Sequence, residues 1–280
     1  MSWHKEQQGF LTVATNSEDV DYLNLAYLQA LNIKATQKIK SYAVIVDSET
    51  NKKINEDHKK VFDYIIEAPS SNFGPFGIEP KAFWLSPFKE TIKLESDLLI
   101  PISIDHWWDA FRLKDIVLST GCKNYLQEPA NSRKYRKLFD DNNLPDIYNG
   151  LMYFRFTQTA TNFFKIASLI FEKWNDVKVN LLGCDDEYPS TDVVYGLCAK
   201  IIGEENCTLP SCDFINFVHM KPAINEFNEQ FDFTEVFVTE FCDGIIRVNN
   251  INQYHPFHYY SKNFPTKEMY DYFRSMAGAN

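Results

Sequence analysis

Two acids one residue apart, Glu95 and Asp97, stand where an apolar strand over 91–94 gives way to a second apolar run over 98–104. Positions i and i+2 of a strand share a face, so both carboxylates point the same way at the end of a buried segment. A divalent cation relieves their repulsion, and hard oxygen ligands on one face suit Mg²⁺ or Mn²⁺ with its open positions filled by phosphate oxygens. The same pair also fits a strand end whose acids merely face water, so other residues must decide. A second constellation, His219-Met220-Lys221-Pro222, follows an apolar strand over 214–218. A lone histidine is more often structural, but this one offers a nitrogen ligand while Lys221 can meet phosphate charge as a point cation.

Charge gives a third signal. Residues 111–137 carry seven basic side chains, among them Arg133, Lys134, Arg136 and Lys137, against Asp115 and Glu128; the local net of +5 leaves −15 on the rest. Such a stretch is usually a solvated helix face, yet basic residues interleaved with Tyr125, Tyr135 and Phe139 also suit a phosphate-bearing partner. An acid-rich turn, CDDEY over 184–188, holds Asp185 and Asp186, and Asp192 opens a helix where an acid favours the positive N-terminus.

The elements that must position these groups alternate. Strands are expected over 9–14, 41–47, 62–67, 91–94, 115–119 and 151–156, with helices over 22–31, 160–174 and 192–202 between or after them. Strands apolar on both faces imply a mainly parallel sheet covered by helices, an α/β architecture. Ligands of such sheets lie outside the carboxyl ends of the strands, here Thr15-Asn16, Asp47 and the Glu95–Asp97 pair; the first two serve equally well as helix caps and turns. Residues 70–80 form a Gly- and Pro-rich loop beside that edge, leading into a helix through Lys81. The tail holds strands over 235–241 and 244–248, an aromatic segment over 254–260 with His255 and His258, and a helix over 266–276.

At 280 residues and 45% hydrophobic, with 23 Phe and 15 Tyr, the chain can bury a large core. The first eight residues lack an apolar leader core and no run approaches a membrane span, so a cytoplasmic protein without a membrane partner is expected. Six cysteines without a CxxC pair read as reduced thiols. A formal net charge of −10 argues against nonspecific coating of nucleic acid while leaving room for a local basic face.

In order along the chain, VATN ends the first strand, Tyr22 opens a helix, LESD follows a strand, Asn149-Gly150 precedes another, STD opens a helix and HMKP follows a late strand. This order over residues 9–225 resembles the GT-A glycosyltransferases, and within them the retaining glycogenin and galactosyltransferase group. The resemblance implies a Rossmann-like GT-A domain over 1–225 with a C-terminal extension over 226–280. It implies a hexosyl- or pentosyltransferase using a nucleotide-sugar donor such as a UDP-sugar, with Mn²⁺ or Mg²⁺ held by Glu95, Asp97 and His219. Thr15, Asn16 and Tyr22 would line the nucleoside pocket. Asn149 and Gly150 would lie near the sugar, Lys81 and Lys221 would join the donor site, and Asp192, Asp185 and Asp186 are the candidate catalytic acids. Three departures stand out: the first acid of the pair is Glu, His219 and Lys221 are unusually close, and no Trp follows Pro222. The tail HPFHYYSKNFPTKEM also resembles proteins of tailed phages. That likeness and the basic stretch make a hydroxymethylated pyrimidine in DNA the expected acceptor, contacted by Arg133, Lys134, Arg136 and Lys137, with a glycan or protein as the alternative. A nucleotidyltransferase and an inactive nucleotide-sugar-binding module are the readings from other classes.

Overall fold

The computed structural model describes residues 6–69, 71, 73–74, 76–130, 134–209 and 215–279. Its centre is a six-stranded sheet whose strands come in the order β3-β2-β1-β4-β7-β6. Strands β1 (Glu6–Val13), β2 (Tyr42–Val46), β3 (Tyr64–Glu67) and β4 (Phe88–Glu95) pair in parallel. A short β5 (Leu98–Leu99) and β6 (Ile116–Thr120) come next, then β7 (Ile147–Arg155), which runs antiparallel to both β4 and β6. Helices cover both faces, as the two-sided apolar strands require. Phe10, Val44 and Ile92 pack on the side of the helix Tyr22–Thr36, whereas Leu11, Ala43 and Ile45 face Phe163, Phe164 and Tyr195 of the helices Gln158–Glu172 and Thr191–Ile202.

Beyond this sheet lie β8 (Val218–His219), a hairpin-like set of β9 (Thr239–Cys242), β10 (Ile245–Val248) and β11 (Ile251–Asn252), and β12 (Phe257–His258). β12 lies between β5 and β8, antiparallel to the first and parallel to the second. The segment after residue 225 therefore reaches back to the end of β4, beside the acid pair.

One apolar run is held mainly by side chains, and one expectation about local structure changes. The apolar run 98–104 pairs as a strand only over Leu98–Leu99. Much of its remaining backbone is met by buried amides of the first helix and its cap: Gln29 Nε2 donates to the carbonyls of Glu95 and Leu98, Asn32 exchanges both bonds with Ile100, and Gln37 bridges Ile102 and Ile104. These side chains supply what a neighbouring strand otherwise would. The expected strand over 235–241 begins instead as a helical turn, Phe233–Val236, because Asp232 and Glu235 form a capping box there.

Candidate active site

β4 ends on Glu95, and the turn that follows places Asp97 below the tip of β12. One oxygen or nitrogen from each of Glu95, Asp97 and His258 lies within 4.8 Å of the others, a donor set able to hold a metal ion. His258 Nε2 is 3.0 Å from Asp97 Oδ2 and 3.4 Å from Glu95 Oε2. His219, the histidine expected there, is not in this group. It sits on β8, one strand further from the acids, directly beside His258 in register, and the two rings stack at 4.3 Å. The sequence reading missed His258 although a signal was present: Lys262 follows it by four residues, the same association of histidine and lysine noted at His219 and Lys221. The Lys262 ammonium pairs with Asp97, and Tyr259 N donates to the Asp97 carbonyl at 3.1 Å.

The electrostatics follow from these contacts. Burial alone would push the Asp97 carboxyl up, but His258 and Lys262 outweigh it and hold Asp97 below the usual carboxylate range. Glu95 moves the other way: burial raises it, Asp97 adds to the rise, and His258 only partly offsets both. Burial opposes the charged form of His258, yet Asp97 and Glu95 raise its pKa, whereas burial and the neighbouring His258 lower that of His219.

The cluster stands where two cavities meet. One, of about 640 Å³, is lined by Thr15, Asn16, Tyr22, Asp47, Glu79 and Asp97 among others; the second, of about 430 Å³, by Asn149, Gly150, Asp186, Asp192, His219 and Lys221 among others. Glu95, His258, Phe76 and Tyr260 border both. Most of the expected donor residues are thus brought to one groove. Asn16, however, spends its side chain on the first helix, accepting from Leu23 N and donating to Asp21. Lys81 lines neither cavity, and its ammonium donates to the Pro69 carbonyl. Of the acidic turn, Asp186 reaches the second cavity and Asp185 does not; the Asp186 carbonyl is tied to Trp174 Nε1 and Lys178 Nζ.

Asp192 does more than meet a helix terminus. Its Oδ1 accepts from Asn149 N at 2.7 Å and its Oδ2 from the Arg136 guanidinium at 3.1 Å. Arg136 was expected on an acceptor surface, but it is buried: it also donates to Asp146 and to the Ile147 carbonyl and lies 3.5 Å from the ring centre of Phe139. A guanidinium with so many partners is withdrawn from solvent because Asp146, Asp192 and the aromatic faces together replace its water. Lys137 is exposed and pairs with Asp141 one turn on. Arg133 and the Lys134 side chain lie outside the described residues. Gly150 is explained by packing, since a Cβ there would come within 2.8 Å of the Phe217 ring.

The sheet order, the covered faces and the acid pair at the end of β4 define a GT-A fold. Solved structures of that class are similar to the chain. The galactosyltransferase LgtC, in complex with donor and acceptor sugar analogues, matches over 98% of this chain and 96% of its own, with 15% identity and a TM-score of 0.52. Mouse xyloside xylosyltransferase 1 matches over 74% of this chain and 86% of its own, with 10% identity and a TM-score of 0.43. GlyE of Streptococcus pneumoniae matches over 74% of this chain with 12% identity and a TM-score of 0.41, and the chain spans 45% of GlyE's length. No family model matches the chain. No curated protein sequence matches it. Among the described residues no helix is long and apolar enough to cross a membrane.

Proposed function

We propose that the chain is a glycosyltransferase that moves a sugar from a nucleotide-sugar donor to an acceptor hydroxyl, with a divalent metal held by Glu95, Asp97 and His258. The observation that carries this reading is the position of those three side chains at the junction of two cavities on a GT-A sheet. Their chemistry fits the ion: two carboxylates and an imidazole suit Mn²⁺ or Mg²⁺ and leave positions for phosphate oxygens. Such an ion, when bound, neutralises charge growing on a leaving diphosphate. The chain's own groups do the rest. Tyr22, Thr15 and Asp47 border the larger cavity, where the nucleoside would lie. Lys262, poised on Asp97, meets the diphosphate as a point charge, the role first expected of Lys221. Asn149, Gly150 and Asp192 border the smaller cavity on the sugar side, where Asp192 fixes the Asn149 backbone and keeps a carboxylate near the reacting carbon.

For the acceptor, a glycan end or another small polyhydroxylated molecule is the better supported reading. A third cavity of about 780 Å³ adjoins the donor groove at Tyr22, Tyr260 and Lys262 and carries the rings of Tyr135, Phe227 and Phe231. Aromatic rings beside polar side chains such as Glu229, Gln230 and Asp232 suit a small polyhydroxylated ligand. Duplex DNA needs exposed cations on its phosphates, and within the basic cluster the Arg136 guanidinium is buried against Asp146 and Asp192. The test is Mn²⁺-dependent hydrolysis or transfer from a panel of nucleotide sugars by the wild type and by Asp97→Asn. Full turnover in excess chelator would sink the metal role. Consumption of nucleoside triphosphate with release of pyrophosphate would make the protein a nucleotidyltransferase, and donor binding without turnover an inactive module.

A further inference from the structure

Lys93 is a buried cation on the central strand of the sheet, fully removed from solvent. It lies on β4 two residues before Glu95, so the two side chains leave the strand on the same face. Its ammonium is 2.5 Å from Glu79 Oε2 and donates to Asn149 Oδ1 at 3.1 Å. Asn149, itself buried, donates from Nδ2 to Glu95 Oε1 at 3.2 Å. An ammonium has donors and no acceptor, and an asparagine amide has one end of each kind. Lys93 therefore dictates the orientation of the Asn149 amide: only the oxygen can face the ammonium, and the NH₂ must face the carboxylate. The backbone of Asn149 is pinned independently by Asp192.

We propose that Lys93 is a positioning residue for the candidate metal centre, acting through Asn149 to hold one oxygen of Glu95 so that the other faces His258. This rests on the reading of Glu95, Asp97 and His258 as metal ligands. A carboxylate free to rotate would offer its two oxygens in several directions, whereas one whose Oε1 is held presents Oε2 in a single direction. Groups that hold a metal ligand in this way commonly change metal affinity about 10- to 100-fold when removed. Glu79 lies against the buried Lys93 ammonium as its countercharge.

The experiment is Mn²⁺ binding to the full chain by isothermal titration calorimetry, with thermal unfolding recorded for each variant. Lys93→Met alone strands the Glu79 charge and is destabilised for that reason. The double variant Lys93→Met, Glu79→Gln removes both charges together and recovers much of the lost stability, but its Mn²⁺ affinity stays about 10- to 100-fold below wild type. Asn149→Ala, which leaves the Lys93–Glu79 pair intact, shows the same weakened binding and keeps the proposal testable if the Lys93 variants do not fold. Wild-type Mn²⁺ affinity in a folded double variant, or in Asn149→Ala, overturns the proposal and leaves Lys93 as a partner of Glu79 only. Absence of Mn²⁺ binding by the wild type overturns the metal reading itself and this proposal with it.

Discussion

Replacing Arg136 with methionine separates an internal brace from a surface contact. The side chain keeps an unbranched apolar stem, so the change removes mainly the guanidinium. That group donates to Asp146 at 2.8 Å, to Asp192 at 3.1 Å and to the Ile147 carbonyl at 2.6 Å, and lies over the rings of Phe139 and Tyr148. Removing one member of a buried ion pair costs about 3–5 kcal/mol because the partner is left uncompensated. Here the side chains of Asp146 and Asp192 are 29% and 33% exposed, so water recovers part of their solvation and the low end, about 3 kcal/mol, applies. At roughly 2–4 °C per kcal/mol for a chain of this size, the melting temperature should fall by about 6–12 °C. Thermal unfolding followed by circular dichroism measures it, with Lys137→Met as the surface control, expected to change stability by less than about 0.5 kcal/mol. An Arg136→Met variant that melts with the wild type but binds duplex DNA with a flatter salt dependence would refute the burial argument and restore an acceptor role for this residue.

Other consequences can be checked in the same preparations. His258→Ala should abolish Mn²⁺ binding measured by calorimetry, whereas His219→Phe, which keeps a ring stacked on His258, should retain it; the opposite result would return the ligand role to β8. Gly150→Ala drives a Cβ toward the buried Phe217 ring and should lower stability by about 1–3 kcal/mol in thermal unfolding; an unchanged melting temperature would show that the ring yields freely. His58 is stacked on Phe62, and its Nδ1 accepts from Asn55 N, closing a helix cap. Burial lowers its pKa, with Asp21 and Asp57 opposing. A lowered folded pKa means that this stability is present above the unfolded value of about 6.5 and is lost as pH falls through the folded value. His58→Gln retains an acceptor for the cap and should flatten the fall in denaturant midpoint on the acid side of pH 6.5; an equal slope in wild type and variant would remove His58 from the acid response.

What the sequence determined by itself is the part that local chemistry specifies. Two-sided apolar strands alternating with helices implied a covered, mainly parallel sheet, because strands buried on both faces have nowhere else to go. Glu95 and Asp97 were legible as a pair because strand periodicity puts both on one face. Some helix starts were legible to within a residue: the helices expected from 192 and 266 begin at Thr191 and Lys267, and their caps prove to be Ser190 and Thr266. The partners of the acids were a different matter. Whether His219 or His258 stands beside Asp97 depends on which strand inserts next to β5, and that pairing joins residues about 160 positions apart, with no local signal to choose between two histidines each followed by a lysine. The fate of Arg136 was hidden likewise. A run of basic residues looks the same in sequence whether it faces water or turns one guanidinium inward, and only the arrival of Asp146 and Asp192 on separate elements made burial favourable. Lys93 is the extreme case: a lysine in an apolar strand reads as an interruption until Glu79 and Asn149, from a short 3-10 helix and from an antiparallel strand, supply the charge and the acceptor that an ammonium needs inside a protein.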